Sequence, residues 1–175
     1  QRQMCIRDRV RRGLTGDNPS VGCVIVKKDK IISIGQTGYG GRPHAEHNAI
    51  SNCFEDPKDS KMYITLEPCN HYGKTPPCTN NIIQNQISEV YYPIEDIDLK
   101  VKGKSSSILE NSNIKVKKGL LRKEALNLYN SYYINRKKKL PYVIGKIALS
   151  KNKIIYSDTT KRITNEISDK LTHYL

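Results

Sequence analysis

The sequence predicts an α/β fold: a three-layer α/β/α sandwich around a mixed sheet, followed by the opening of a second α/β domain. Three observations carry this. Two short apolar runs rich in β-branched residues, at 21–26 and 31–36, are followed by strand candidates at 62–66, 88–92 and 114–118. Segments with helical periodicity separate them after the second run, which is the alternation of a sheet covered on both faces. The 175 residues give room for one full domain plus a fragment, and apolar content of 37% without tryptophan leaves the core to Ile, Val, Leu and Tyr.

The elements follow in order. The runs VGCVIV and IISIGQ are joined by Lys28-Asp29-Lys30, a hairpin connection. Gly38, Gly40 and Gly41 mark an irregular loop ending at Pro43. From His44 to about Phe54 the pattern is helical, with Ala45, Ala49, Ile50 and Cys53 on one face. A strand over 62–66 leads into a loop rich in Gly and Pro. Thr75 then reads as an N-cap with Pro76 at the first helical position, and this helix runs to about Gln86. A strand at 88–92, a short helix at 105–111, a strand at 114–118 and a helix at 121–135 complete the first domain. The basic run Arg136-Lys137-Lys138-Lys139 and Pro141 read as a boundary, giving domains at 1–138 and 139–175. Beyond it, YVIGKIALS is a strand candidate and Thr164 to Tyr174 a capped helix; thirty-five residues are too few for an independent domain.

Composition excludes several classes. No run approaches the roughly eighteen apolar residues of a membrane span, and no signal-like segment opens the chain, so a cytoplasmic protein without membrane contact is expected. The net charge of +13 permits an anionic partner. The charge is nevertheless spread, apart from an arginine-heavy start at residues 7–12 and the run at 136–139, which reads as a solvated linker. Aromatic residues are not interleaved with the basic runs, which argues against a nucleic-acid partner. The odd count of five cysteines argues against a disulfide framework and leaves metal binding or burial.

Chemistry concentrates in His44-Ala45-Glu46, Pro68-Cys69 and Pro77-Cys78. Imidazole and thiolate are zinc ligands, and three protein ligands leave the open position that a catalytic zinc needs. A zinc-bound hydroxide formed there can attack a ring carbon that bears an amino group. His44 and Cys78 both fall at predicted helix starts, where a thiolate is favoured at Cys78. Glu46, two residues from His44, can face the site without ligating and serve as the proton shuttle. A structural zinc would need a fourth ligand. Cys23, in an apolar strand, and Cys53, on an apolar helix face, read instead as buried small hydrophobes.

The motif resembles that of the zinc nucleobase deaminases, H-x-E with a later P-C-x-x-C, except that eight residues separate Cys69 and Cys78. The stretch TLEPCNHYGKTPPC, with Asn18 to Val26 and Gly41 to Glu46, is similar to the deaminase domain of the bifunctional riboflavin biosynthesis family. The resemblance spans most of residues 13–135. It implies a cytidine-deaminase-like fold and hydrolytic deamination of 2,5-diamino-6-ribosylamino-4(3H)-pyrimidinone 5′-phosphate, a small phosphorylated pyrimidine. It implies zinc on His44, Cys69 and Cys78, Glu46 as proton shuttle, and substrate contacts from Asn18, His71, Lys74, Thr75, Asp96 and Asp98. Lys74 is assigned to the phosphate, where a dianion needs a cation. Asp96-Ile97-Asp98 stands where the family usually has Asp-Pro-Asn.

The family tends to self-associate, so a homo-oligomer is expected. Residues 141–175 resemble the start of its reductase domain, with Lys146, Ala148 and Ser150 in the first strand and Asn152-Lys153 replacing the usual Asp-Gly. The NADPH of that domain is expected only where the domain is complete. Two other readings stay open at this point: a tRNA adenosine deaminase, and a non-catalytic zinc module that binds RNA or a protein partner.

Overall fold

The computed structural model describes residues 13–143, 145, 147–149, 151, 153 and 164–167. The arginine-heavy start, Cys5, Lys146, Ser150, Asn152 and His173 lie outside them, as does most of the strand and helix expected after the boundary. The chain divides into two compact units, Gln1–Leu140 and Pro141–Leu175. Among the described residues no helix is long and apolar enough to cross a membrane.

The first unit is the mixed α/β arrangement that the sequence predicts. Five strands, β1 (Gly22–Lys27), β2 (Lys30–Gln36), β3 (Lys61–Ile64), β4 (Glu89–Tyr92) and β5 (Lys115–Lys118), form one sheet in the order β2-β1-β3-β4-β5. β1 pairs antiparallel with both β2 and β3, whereas β3, β4 and β5 run parallel. The hairpin turn is tighter than predicted. Lys30 already pairs with Lys27, and Lys28 and Asp29 both have positive φ, as the twist of a two-residue hairpin favours.

The helices are α1 (Ala45–Ser51), α2 (Cys78–Gln84), α3 (Lys104–Glu110) and α4 (Arg122–Lys138). α1 packs on β1 and β2, α3 on β5, and α2 sits between them. Strand alternation gives this layer Cys23, Ile25, Met62, Ile64 and Val90, all buried. α1 approaches β2 so closely that a β-carbon on Gly35 would stand 2.2 Å from the Ala45 carbonyl oxygen. Only glycine fits there, and the contact fixes the helix that carries Glu46. α4 contributes Ala125, Leu128 and Tyr129 to the core.

One boundary differs in an informative way. The helix after the Gly/Pro loop starts at Cys78 with Pro77 as its N-cap residue, two residues later than Thr75-Pro76 predicts. No side chain caps it. Its first amides instead reach Cys69: Cys78 N–H donates to Cys69 Sγ at 3.3 Å and Thr79 N–H to the Cys69 carbonyl at 3.1 Å. A residue earlier in the same loop thus satisfies the orphan donors of the first turn. Thr75 is left to accept a hydrogen bond from Arg42.

Parallel strands and an antiparallel neighbour gather four connections at one end of the sheet. The segments before β1 and after β2, β3 and β4 all meet there, because Cys23 pairs with Gly35 and Ile64, and Met62 with Val90. Ligand sites in such sheets form outside the carboxyl ends of the strands.

Candidate metal centre and cleft

His44 is the N-cap residue of α1, Cys69 follows β3, and Cys78 opens α2. Their ligand atoms lie within 4.8 Å of one another. His44 Nδ1 stands 3.3 Å from Cys78 Sγ and 3.5 Å from Cys69 Sγ. A tetrahedral zinc at ordinary bond lengths sets its N and S donors about 3.6 Å apart, so the three residues fit that ion. Among the described residues this is the one such cluster of metal-ligating side chains, and it offers three protein donors rather than the four of a structural site.

Of the two thiols, Cys69 is the one held low. Its sulfur accepts from the Cys78 thiol and amide beside the His44 ring, which holds it down to about 4. The Cys78 thiol is pushed up by the same bond to Cys69, by burial and by Glu46. His44 is raised, chiefly by its bond to Cys69. The first amide of α2 adds a smaller contribution, because it donates to the Cys69 sulfur.

Glu46 lies in the first turn of α1 and is only 4% exposed. Burial, and then the nearby Cys69 sulfur, raise its pKa to about 7. A carboxyl that is half-protonated near neutrality, beside three metal ligands, can both take and give a proton.

These groups border a cleft of about 740 Å³ including its open mouth. Asn18, His71, Thr75, Asp96 and Asp98 all line it, with His44, Glu46 and Cys69. Asn18 donates through Nδ2 to the Gly41 carbonyl at 3.2 Å. Gly41 has φ of +92°, and a β-carbon there would stand 2.3 Å from Asn18 Nδ2. His71 has a buried Nδ1 with no partner among the described residues. Asp96 is 8% exposed, and burial raises its pKa. Lys74 is the exception: it is exposed on the loop and does not line the cleft, although Gly73 and Thr75 on either side do. Cys23 is fully buried and Cys53 half-buried, with its thiol on the Ala49 carbonyl, whereas His47 is exposed.

Four cleft residues escape the sequence reading. Glu67 is 4% exposed, and its carboxylate accepts three backbone amides: Asp96 at 3.0 Å, Gly103 at 3.0 Å and Ser105 at 3.1 Å. Arg42 reaches Thr75 and lines the cleft from the segment just before His44. Tyr132 and Arg136 line it from α4. Arg136 therefore belongs to the cleft, not to a solvated linker. Its adjacency to three lysines hid it, whereas Tyr129, Tyr132, Tyr133 and Arg136 at helical spacing were a legible signal.

Comparison with known proteins is consistent with this geometry. Residues 2–94 match the family described as the cytidine and deoxycytidylate deaminase zinc-binding region. The diaminohydroxyphosphoribosylamino-pyrimidine deaminase of Buchnera aphidicola subsp. Schizaphis graminum is 44% identical over 127 residues, covering 73% of this chain and 86% of that protein. The riboflavin biosynthesis protein RibD of Aquifex aeolicus is 36% identical over 167 residues, covering 94% of this chain and 47% of the relative. The chain thus spans about half the length of the RibD relatives it matches. The crystal structure of the Thermotoga maritima deaminase/5-amino-6-(5-phosphoribosylamino)uracil reductase is 32% identical with a TM-score of 0.81, covering 98% of this chain and 50% of that one.

Proposed function

The chain belongs to the zinc-binding cytidine and deoxycytidylate deaminases, and within them to the riboflavin-biosynthesis deaminases, and on that premise we propose that it hydrolyses the amino group of 2,5-diamino-6-ribosylamino-4(3H)-pyrimidinone 5′-phosphate. The products are 5-amino-6-(5-phosphoribosylamino)uracil and ammonia. One observation supports this above all others: a buried carboxyl, Glu46, stands in the first turn of α1 beside a His/Cys/Cys set that leaves one coordination position for water.

His44, Cys69 and Cys78 hold the zinc. When bound, zinc supplies the Lewis acidity that brings the pKa of a water toward neutrality. Glu46 accepts a proton from the attacking water, passes it to the ring nitrogen, and then carries a second proton to the departing amine. The second proton comes from the hydroxyl that becomes the product carbonyl, so one water proton stays on the ring nitrogen, the other leaves on ammonia, and Glu46 ends as it began. His71, which lines the cleft, contacts the substrate. Asn18 and Asp96 read the polar edge of the pyrimidine, and Asp98 extends that wall. Thr75, Arg42 and Lys74 meet the phosphate at the loop, where a dianion needs cations and donors.

In this reading residues 1–138 are the deaminase domain and 139–175 begin a reductase domain, whose NADPH requires that domain in full. The enzyme is cytoplasmic and self-associates.

The test is ammonia release from the ribotide, with and without a zinc chelator, beside Glu46→Gln. Zinc-dependent release that falls by about 10³-fold or more in Glu46→Gln, with zinc retained, is the expected result. A folded, zinc-loaded protein that leaves the ribotide intact overturns the proposal. Turnover of adenosine in tRNA instead would make it a nucleic-acid deaminase, and salt-sensitive RNA binding unaffected by Glu46→Gln would make it a binding module.

A further inference from the structure

α4 carries Tyr129, Tyr132, Tyr133 and Arg136 on one face, at i, i+3, i+4 and i+7. Each hydroxyl or guanidinium reaches a segment at the cleft end of the sheet. Tyr129 O–H donates to the Ser20 carbonyl at 3.0 Å, and Tyr133 O–H to the Glu95 carbonyl at 3.2 Å. Tyr132 O–H donates to Asp96 Oδ1 at 3.2 Å. Arg136 Nη2 donates to the Asp17 carbonyl at 2.6 Å, and its guanidinium lies over the Tyr132 ring, 5.6 Å from the centroid. One helix face therefore grips two loops that stand far apart in the sequence.

We propose that Tyr132 and Arg136 are positioning residues, which aim Asp96 and Asn18 into the cleft. As a statement about substrate, this rests on the deaminase reading. Arg136 fixes the peptide that joins Asp17 to Asn18, so rotation of that peptide, which would swing the Asn18 carboxamide away from Gly41, is opposed. Tyr132 and the Asp98 amide, the latter at 3.0 Å, together hold Asp96 Oδ1 and so orient the whole carboxylate. The arginine–tyrosine stack links the two grips, so that each loop is set relative to the other.

The bonds supply their own reporters. The Asn18 amide donates to the Thr15 carbonyl at 3.2 Å, within the loop that Arg136 holds, and the Asp98 amide donates to Asp96 itself. Hydrogen exchange at these two amides reads the grip without any substrate. Tyr132→Phe keeps the ring and the stack and removes only the hydroxyl. Arg136→Met keeps the stem and removes the guanidinium. Arg136→Lys restores a charge that can donate.

In the full zinc-loaded chain, Arg136→Met speeds exchange of the Asn18 amide, and Tyr132→Phe that of Asp98, by about tenfold, while the Val24 and Val90 amides are unchanged. KM for the ribotide rises about fivefold to tenfold with kcat within threefold, and Arg136→Lys recovers most of the Arg136→Met loss. Unchanged exchange at Asn18 and Asp98 overturns the proposal. So does faster exchange with KM unaltered, or faster exchange that extends to the sheet amides with kcat and KM failing together. A wild-type chain that leaves the ribotide intact sinks the deaminase reading instead, and the exchange measurement still decides whether α4 holds the two loops.

Discussion

Glu67→Gln tests whether a single buried carboxylate holds the metal segment and the cleft wall together. Its Oε2 accepts two amides, Asp96 and Gly103, and its Oε1 accepts Ser105. Glutamine has the same shape but only one acceptor oxygen. Placed over the Oε2 position, that oxygen keeps two bonds at neutral strength, and the amide nitrogen then faces the Ser105 N–H, donor against donor. Losing charge assistance and leaving one buried donor unmet costs about 2–4 kcal/mol. For a chain of this size that lowers Tm by about 5–15 °C. The damage should spread to the metal. Ser105 Oγ donates to the Pro68 carbonyl at 2.6 Å and accepts from Asn70 Nδ2 at 2.9 Å, which brackets Cys69. Zinc affinity therefore falls by about tenfold, in the range seen when partners of metal ligands are removed. Calorimetry and competitive chelator titration measure the two effects. Glu89→Gln is the control: Glu89 pairs with Lys117 at 3.8 Å on the surface, where the change is worth less than about 1 kcal/mol. A Glu67→Gln protein that melts within about 2 °C of wild type would refute the clamp.

Two further substitutions probe the cleft walls. Burial raises the pKa of Asp96 above its unfolded value, so its stabilising contribution is present at acid pH and is lost as pH rises through the raised pKa. The acids around it are Glu67 and Asp98, with Tyr132, Tyr133 and Arg136 facing from α4. Asp96→Asn keeps an oxygen for Tyr132 and Asp98, and is expected to raise Tm at pH 8, with the gain vanishing on acidification, while KM rises about tenfold. Thermal melts across pH check this, and an equal Tm loss at pH 4 and pH 8 would disprove it. Gly41→Ala forces a β-carbon to within 2.3 Å of Asn18 Nδ2 and 2.5 Å of the Thr15 carbonyl oxygen, at a φ that alanine resists. It should cost about 1–3 kcal/mol and raise KM more than it lowers kcat; wild-type KM in a folded Gly41→Ala protein would count against the Asn18 role.

The difference between what was legible in the sequence and what was not has a physical pattern. Ligand chemistry is local: His44, Glu46, Cys69 and Cys78 declare themselves by residue type and short spacing. Strands and helices declare themselves by period, and one boundary shifted because a group outside the helix intervened, as Cys69 took over the first amides of α2 from the expected Thr75 cap. The partners of the site's holders are not legible in such reading, because each holder acts across a long separation, even where spacing groups the holders on one helix face as in α4. Glu67 works on residues near 100, Tyr132 on Asp96, and Arg136 on Asp17. A buried glutamate in Leu-Glu-Pro looks like any surface acid until three amides converge on it, and Arg136 looks like the lysines that follow it. Such residues carry no chemistry of their own, yet they set the angles of those that do. A site built this way loses binding geometry before it loses fold. The substitutions most damaging to KM should therefore lie in α4 and around Glu67 rather than only among the residues that touch substrate.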